Sequence, residues 1–575
     1  MAAGLSEGQV RLKVALLPSF TINALSEVLL VKCYEAGLVP EVYVANYNQY
    51  AQELVNPESG LHKFKADISI LLLDLQALMG DHFFNPYEIS DVERRAWVEQ
   101  TLREIVELSD RYKASSQGRL LIHNLEVPSY SPMGVLEGKQ SYGICEAIED
   151  LNSRLRLHFK TDERIFIFDY NTFCSKHGKR NIVDHKMYYL GDIRLSMNLF
   201  PELCEEYLGY LKPLCSKIKK CIVVDLDNTL WGGVVGEDGL NNIKLGPTAH
   251  GRPFFEFQKH LLALHNRGFI LAINSKNNEK DALEVFQKHP SMVLKEKHFS
   301  ATRINWEDKI ANLKAIAKEL NIGLESMVFI DDDKLNCEMV RDALPEVKVV
   351  ALPNDSALYV SALKALNDFN MLQLTAEDLN KGKLYSDQKN REKLKEAATD
   401  ITSYLRSLEM TLTFEPANDF NIPRLAQLTQ KTNQFNMTTK RYQEEDIRRF
   451  AASKDHFLVS VRVVDKFGDS GIVGLIMGEK APAQWKIDSF LLSCRVLGRK
   501  IEDAIIAYIA EQARQERAQT LIGVFVATAK NDPAKGFFEA ARFSFLEKTD
   551  NAEKWALGLT SAYPFPDFIK ITKGD

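Results

Sequence analysis

Two aspartates, Asp225 and Asp227, directly follow the apolar run CIVV in the segment CIVVDLDNTLWGGVVGEDG (221–239). The apolar run predicts a buried strand, and open parallel sheets bind ligands at the carboxyl ends of their strands. Carboxylates at positions i and i+2 leave a strand on the same side, so both can face one metal ion and one substrate. The pair therefore predicts a reactive site at a sheet edge.

Three further segments supply partners for these aspartates, in a consistent order along the chain. ILAINS predicts a strand that ends at Ser275, whose hydroxyl and backbone N–H can bind a phosphoryl oxygen. NWEDK places Lys309 near a helix start, where a lysine can neutralise phosphate charge. MVFIDDD predicts a third strand, which ends in an acidic cluster suited to Mg²⁺. Each segment alone is a weak signal, but their order and spacing together predict a phosphoryl-transfer centre.

The elements that must position these groups divide the chain into four predicted segments. Alternating strand and helix patterns predict an α/β domain over 1–215, and a second α/β unit over 216–370 carries the aspartates. Residues 371–402 predict a charged connecting helix on the surface, whose simplest interpretation is a solvated face. Residues 403–575 have β patterns with a hairpin-like turn at Lys466–Ser470, which predict an α+β domain with a mostly antiparallel sheet.

Composition and charge argue against several classes of protein. The 575 residues include 72 Lys and Arg against 78 Asp and Glu, and a net charge of −6 gives no electrostatic footprint for nucleic acid or an anionic membrane. The eight cysteines form no CxxC pair, which argues against a zinc site or a disulfide framework. The start MAAGLSEGQVRLK lacks the apolar run of a signal peptide. We expect a cytoplasmic protein without nucleic-acid or membrane partners.

The order strand–DxDxT, strand–Ser, Lys, strand–DD resembles the haloacid dehalogenase (HAD) superfamily of phosphohydrolases over about 219–366. The resemblance implies a Rossmann-like parallel sheet. It implies that Asp225 is the nucleophile that accepts the phosphoryl group, and that Asp227 is the general acid and base. Ser275 and Lys309 complete the implied catalytic set.

The same resemblance implies Mg²⁺ as the cofactor. Its implied ligands are the Asp225 carboxylate, the backbone carbonyl of Asp227 and Asp332, with Asp331 in support. The metal offsets the repulsion between an anionic nucleophile and an anionic phosphate. No insert between the motifs is long enough for a separate cap domain. We therefore expect either an open site that admits a bulky substrate, such as a loaded carrier protein, or a site covered by a neighbouring domain of the chain.

Segments along nearly the whole chain resemble the FkbH-like family. They include SFT (19–21), WGGVVGEDG after the aspartates, LAQLTQKTNQFNMTTKRY (425–442) and DSFLLSCRVLGRKIED (488–503). The resemblance implies an enzyme of polyketide biosynthesis that transfers a glyceryl unit from 1,3-bisphosphoglycerate to an acyl carrier protein (ACP), with loss of both phosphates. A thiol attacks an acyl phosphate without ATP, and Cys494 is the candidate for a thiol intermediate. The alternative is that Cys494 is a small apolar residue of the interior.

The C-terminal segment resembles the GNAT acetyltransferase fold. RVLGRK is similar to its R-x-x-G-x-G/A loop, in which backbone N–H groups at a helix N-terminus hold a pyrophosphate. Arg495, Gly498 and Arg499 are thereby implied to bind phosphopantetheine. NDPAKGFFEAARF is similar to the family's N-x-x-x-x-x-FYE-x-x-GF pattern, but Phe538 replaces the tyrosine acid. Because phenylalanine donates no proton, we expect a fold that receives a pantetheine arm rather than an N-acetyltransferase.

Five residues upstream are further candidates for the pantetheine site: Asn433, Phe435, Asn436, Thr438 and Arg441. Their alternative interpretation is helix capping and surface polarity.

The first 215 residues resemble SGNH hydrolases, on fewer motifs. A complete Ser, Asn and Asp-x-x-His set is missing, and Ser19, Asn124 and His185 are its candidate remnants. A lone histidine is more often structural than catalytic, so we expect this domain to serve in docking or as a scaffold.

Three functions follow from the sequence as competing hypotheses. The first is the glyceryltransferase and phosphatase acting with ACP. The second is an uncapped HAD phosphatase that acts on a small phosphate ester, with its flanking domains used for docking. The third is a non-catalytic module that docks a carrier protein, and the intact set of acidic, serine and lysine motifs argues against it.

Overall fold

A computed structural model of the chain describes residues 10–215, 217–373, 387, 391, 394–395, 398–528, 531–549 and 552–573. The chain forms two compact units, Met1–Cys215 and Ser216–Asp575. The second unit contains two separate sheets. Because it forms one compact unit, the predicted segment boundaries at 370 and 402 stay predictions. None of the described helices combines the length and apolar character that crossing a bilayer requires.

The first unit is an α/β fold around a parallel five-stranded sheet of order β2-β1-β3-β4-β5. Every residue of β3 is buried, as expected for a strand with helices on both faces. In chain order the unit contains β1 (Val10–Pro18), α1 (Leu25–Glu35), β2 (Leu38–Val44), α2 (Tyr50–Val55), α3 (Gly60–Phe64), β3 (Ile68–Leu72), α4 (Leu75–Met79), α5 (Asp91–Ser115), β4 (Arg119–His123), α6 (Ile144–His158), β5 (Ile165–Phe168), α7 (Tyr170–His177), α8 (His185–Gly191) and α9 (Phe200–Leu214).

The candidate SGNH-type residues of this unit do not form a catalytic set. Ser19 is fully buried, and its Oγ accepts a hydrogen bond from the Asp74 backbone N–H at 3.0 Å. Asn124 donates to Asp169, and His185 is exposed at the start of α8. Within the described part of the chain, no hydrogen bond joins Ser19, Asn124 and His185 to one another.

The second unit begins with a parallel five-stranded sheet of order β10-β9-β6-β7-β8. This confirms the predicted Rossmann-like sheet. Strand β6 is central, and the carboxyl ends of its neighbours β7 and β9 meet at the same edge. In chain order this part contains β6 (Cys221–Val224), α10 (Val235–Asp238), α11 (Arg252–Asn266), β7 (Ile270–Ser275), α12 (Glu279–Lys288), β8 (Phe299–Ile304), α13 (Lys309–Glu319), β9 (Met327–Asp331), α14 (Lys334–Ala343), β10 (Lys348–Ala351) and α15 (Tyr359–Lys364).

The C-terminal part is built on a mostly antiparallel sheet of order β17-β18-β16-β15-β14-β13-β11-β19, with β12 paired to β15. Among the strand pairs of its described residues, only β11–β19 and β15–β16 are parallel. This confirms the predicted α+β class. In chain order it contains α16 (Ile401–Ser407), β11 (Met410–Pro416), α17 (Ile422–Lys431), β12 (Phe435–Asn436), α18 (Glu444–Ala452), β13 (His456–Asp465), β14 (Gly468–Lys480), β15 (Gln484–Leu492), α19 (Ile501–Gln515), β16 (Thr520–Val526), α20 (Phe537–Ala540), β17 (Ser544–Lys548), β18 (Ala552–Gly558) and β19 (Ile569–Lys573).

Most of the predicted connecting helix, 371–402, lies outside the described residues. Its described member Arg391 does not sit on a solvated face, because only 2% of it is exposed. Arg391 binds Asp465 through Nε at 2.7 Å and through a second guanidinium nitrogen at 2.8 Å. A buried arginine requires such a carboxylate partner, which the sequence pattern alone did not reveal.

Candidate active site

Asp225 lies at the carboxyl end of the central strand β6. All four residues of β6 are buried, and the Asp225 backbone N–H donates to the Ile330 carbonyl at 3.0 Å, which extends the pairing with β9 by one residue. Only 8% of Asp225 is exposed. The sheet therefore holds this carboxylate at a fixed position, as a nucleophile requires.

A tight turn after Asp225 directs the side chain of Asp227. Its Oδ1 accepts from Trp231 Nε1 at 2.8 Å and from the Val235 N–H at 3.1 Å, and its Oδ2 accepts from Asn277 at 2.8 Å. Burial, with a contribution from the charge of Asp225, raises the pKa of Asp227 despite these hydrogen bonds. A raised pKa brings a carboxyl group closer to the range in which it acts as a general acid.

Lys309 joins two carboxylates beneath the sheet edge. It is the first residue of α13, is 4% exposed, and lies 2.8 Å from Asp225 Oδ1 and 2.6 Å from Asp331 Oδ2. Burial lowers the pKa of Lys309, but the charges of Asp225 and Asp331 outweigh it and the net shift is upward. The ammonium group therefore stays charged and fixes the orientation of the nucleophile.

Three carboxylates of this edge fit a hard divalent cation. Asp225, Asp331 and Asp332 each present an oxygen atom, and these oxygens lie within 4.8 Å of one another. Burial, followed by the charge of Asp225, raises the pKa of Asp332 to about 6. Asp225 Oδ1 is buried and pairs with the Lys309 ammonium group at 2.8 Å. Carboxylates gathered this closely repel one another, and their oxygen atoms are ligands suited to a hard cation such as Mg²⁺.

A cleft of about 610 Å³ opens above these groups. Its lining residues are Asp225, Asp227, Asn228, Lys276, Lys309, Asp332, Asp333, Lys334, Asn336 and Asn354. Ser275 ends β7 as predicted but is 1% exposed and is not one of these lining residues. Its neighbour Lys276 is exposed and does line the cleft. The predicted role of Ser275 in phosphate binding stays a prediction.

Sequence reasoning missed several residues of the site. Asn277 orients Asp227, and Lys276, Lys334 and Asn354 line the cleft. The signal for Lys276 and Lys334 was available, because each directly follows a motif at the carboxyl end of a predicted strand. Asn354 offered no such signal, since no catalytic motif precedes it at the end of the edge strand β10.

The cleft has no separate cap domain. Residues 228–308, all of which the structure describes, contain α10, α11, β7, α12 and β8, which belong to the sheet and its flanking helices. Beside the site, Gly232 and Lys244 exchange two backbone hydrogen bonds that form a short flap after Asp227.

Cys494 lies away from this cleft. Its carbonyl oxygen accepts a 2.6 Å hydrogen bond from Asn321 Nδ2, just beyond the carboxyl end of α13. Lys309 is at the opposite end of the same helix, and a rise of about 1.5 Å per residue puts about 18 Å between the two positions. The structure therefore brings together Asp225, Asp227 and Lys309 but not Cys494.

The loop predicted to hold a pyrophosphate is occupied by internal contacts. Arg499 is 3% exposed and binds Asp465 at 3.2 Å and the Arg495 carbonyl at 2.6 Å. Gly498 adopts a left-handed conformation, and helix α19 starts after it with Glu502 and Asp503 in its first turn. Carboxylates at that position oppose an anionic ligand. These contacts engage the Arg499 side chain within the protein, and the binding of phosphopantetheine by Arg495, Gly498 and Arg499 stays a prediction.

The candidate pantetheine residues at 433–441 hold their own loop together. Asn436 is fully buried, accepts from the Thr439 N–H at 2.9 Å, and receives at its carbonyl a hydrogen bond from Asn531. Thr438 donates to the Asp488 carbonyl at 3.0 Å. The other three are engaged similarly: Phe435 makes edge-to-face contacts with Phe490 and Phe537, and Arg441 binds the Thr429 and Thr432 carbonyls and the Asn433 side chain. These contacts favour a structural role, and binding stays a prediction.

Phe538 stands where GNAT enzymes have a tyrosine that serves as the acid, and its surroundings are apolar. It is 2% exposed and packs against Phe537 and Phe543. Its ring also lies so close to Gly523 that a Cβ there would come within 2.3 Å of it. An apolar ring in a packed interior cannot take part in proton transfer.

Comparisons with known proteins found a family model and solved structures that match parts of the chain. The model of the FkbH N-terminal domain family matches residues 13–212. Among solved structures, the chain is similar to the N-terminal part of the protein BF1531 from Bacteroides fragilis, described as containing a phosphatase domain complexed with Mg. That match has 31% identity and a TM-score of 0.59, and covers 64% of this chain and 95% of the other.

Two acetyltransferase structures match a smaller part of the chain. The ribosomal-protein-S18-alanine N-acetyltransferase from Escherichia coli is 12% identical, with 26% of this chain and 96% of that chain covered and a TM-score of 0.21. The GNAT domain of S. lividans PAT is 14% identical, with 25% and 89% covered and a TM-score of 0.21. No curated protein matches the chain.

Proposed function

The chain belongs to the FkbH-like family and has a phosphatase-related function, and from this membership we propose that it transfers a glyceryl unit from 1,3-bisphosphoglycerate to an ACP. In this proposal the enzyme uses Mg²⁺, releases both phosphates and supplies glyceryl-S-ACP to polyketide biosynthesis. The observation that carries the phosphatase half is the convergence of Asp225, Lys309 and Asp332 at one sheet edge.

The residues around Asp225 support a double-displacement hydrolysis of the phosphate ester. An Asp225 oxygen attacks phosphorus and forms an aspartyl phosphate, while the bond to the alcohol oxygen breaks. Asp227 donates the proton that the leaving alkoxide requires, and then accepts one from the water that cleaves the aspartyl phosphate. Lys309 keeps the nucleophile oriented throughout. Asp225, the Asp227 carbonyl and Asp332 would hold Mg²⁺, which supplies charge neutralisation at the phosphate oxygens.

Acyl transfer requires a different bond to break. A thiolate attacks the carbonyl carbon of the acyl phosphate, a C–S bond forms, and the mixed anhydride releases phosphate. The cleft supports direct attack by the pantetheine thiol, since the described segment 228–308 inserts no cap domain in the way of a carrier-borne arm. In a relay through Cys494, the acyl group would have to travel about 18 Å, the length of helix that separates Lys309 from the Cys494 loop.

A specific observation favours a second candidate, an uncapped phosphatase of small phosphate esters. Cys494 lies away from the cleft, and Arg499 is buried against Asp465, so the residues expected to serve acyl transfer are not gathered at the reactive edge. In that case the flanking domains would serve docking.

The decisive experiment incubates the full-length protein with Mg²⁺, 1,3-bisphosphoglycerate and a holo carrier protein, and then weighs the carrier. A glyceryl increment that is absent with the apo carrier supports glyceryl transfer. Free phosphate with an unmodified carrier supports the phosphatase. A Cys494→Ala variant tests the relay, because loss of the increment with retained ester hydrolysis requires the thiol, whereas an unchanged increment removes Cys494 from the reaction.

A further inference from the structure

We propose that Lys276 and Lys334 determine the specificity of the cleft by binding a second anionic group of the phosphorylated substrate. This inference rests on the proposed phosphatase function of the Asp225 site. Both lysines line the cleft and are exposed. Neither has an ion-pair partner among the described residues, in contrast to Lys309, which is buried between two carboxylates.

The sheet topology places the two lysines on opposite sides of the nucleophile. Lys276 directly follows β7, and Lys334 opens α14 just after β9, while β7 and β9 are the two neighbours of β6. Neighbouring strands are about 4.8 Å apart, so the two backbones flank Asp225 at a separation of about 10 Å. Long flexible lysine stems allow both ammonium groups to approach one ligand group above the cleft.

The charges of the cleft indicate which part of the substrate these lysines meet. Lys309 lies at the buried base beside Asp225, where the reacting phosphoryl group must bind. Lys276 and Lys334 lie at the exposed walls of the cleft, where they can contact a part of the substrate away from the reacting phosphoryl group. A cleft of about 610 Å³ has room for more than a phosphate, since small-molecule sites have volumes of about 300–1,000 Å³. A carboxylate or a second phosphate is the group that two free ammonium ions select.

A matched pair of substrates tests this assignment. Glycerol 3-phosphate and 3-phosphoglycerate differ only in a hydroxymethyl group against a carboxylate, so the ratio of their kcat/KM values isolates recognition of the second charge. For the full-length enzyme with Mg²⁺, we expect the ratio to favour 3-phosphoglycerate. We expect Lys276→Gln and Lys334→Gln each to reduce that ratio about tenfold, the lower range for hydrogen bonds to charged groups.

Two control variants keep the test falsifiable. Lys280→Gln removes an exposed lysine of α12 that does not line the cleft, and it should keep the wild-type ratio. Lys276→Arg retains the charge and should retain most of the preference. Wild-type enzyme without a preference, or Gln variants with an unchanged ratio, overturns the inference alone. If the wild-type enzyme hydrolyses neither glycerol 3-phosphate, 3-phosphoglycerate nor p-nitrophenyl phosphate, the proposed function itself fails.

Discussion

Polar side chains face a cleft at the edge of the β6 sheet, whereas in the C-terminal loops they bond to the protein itself. At the sheet edge, Asp225 and Asp332 are crowded together and face a cleft, and burial raises the pKa of Asp332 to about 6. In the C-terminal loops, Asn436, Thr438 and Arg499 donate to or accept from the protein itself. The difference teaches that like charges crowded at a cleft, rather than polar residue types alone, distinguish a reactive site from a scaffold.

The largest expected effect is on catalysis at the sheet edge. Asp225→Asn should lower phosphate release from p-nitrophenyl phosphate by about 10⁴-fold or more, because an amide is not a nucleophile and members of a catalytic set act as a unit. Asp342→Asn, which changes an exposed aspartate of α14, is the matched control. Wild-type turnover by the Asp225 variant would refute the assignment of the nucleophile.

The second prediction concerns stability in the C-terminal part. Asp465→Ala should reduce the free energy of unfolding by about 3–5 kcal/mol, since it leaves the buried guanidinium groups of Arg391 and Arg499 without this carboxylate. Asp469→Ala breaks an exposed pair with Arg462 and should cost about 1 kcal/mol or less. Denaturant unfolding measures both, and equal costs would contradict the contrast between buried and exposed pairs.

The third prediction concerns pH and metal. In the metal-free protein, the raised pKa of Asp332 means that its protonated form stabilises the fold below pH 4 and that this contribution is lost as the pH rises through about 6. Mg²⁺ binds the ionised form, so the increase in melting temperature on adding Mg²⁺ should be larger at pH 7.5 than at pH 5. An increase that is independent of pH, or that persists in Asp332→Asn, would argue against this ligand.

The smallest expected effect is at the contact between α13 and the Cys494 loop. Asn321→Ala should reduce the free energy of unfolding by about 1–2 kcal/mol, because it removes a hydrogen bond and places alanine at a φ of 49°. Asn321→Gly relieves the backbone strain but not the lost bond, so it should fall between the wild type and the alanine variant in the same denaturant titration.

Much of the fold was predictable because its strands are short apolar runs bounded by polar residues. The run CIVV and the motif MVFIDDD predicted β6 and β9 and hence the sheet edge at which Asp225 lies. Strand β8, with the sequence FSATRI, was not predicted, because its polar residues break the apolar run expected of a parallel strand. The five-strand order itself depends on tertiary packing and had no local signal.

The sequence predicted those site residues whose positions depend on nearby strand and helix boundaries. Asp225, Asp227 and Lys309 lie at strand or helix boundaries that the sequence marks, and all three line one cleft. Cys494 and Arg499 were assigned by similarity of a short motif, which says nothing about the partners that a fold brings from distant segments. Arg391 and Asp465 are such partners, separated by 74 positions in the chain.

Helix α13 has a mechanical consequence for the second unit. Its first residue, Lys309, forms an ion pair with the nucleophile Asp225, and just past its last turn Asn321 donates a hydrogen bond to the Cys494 carbonyl. Because an α-helix is stiff along its axis, the reactive edge and the Cys494 loop are tied to one rigid element. We expect a substitution that displaces α13 to disturb both ends together.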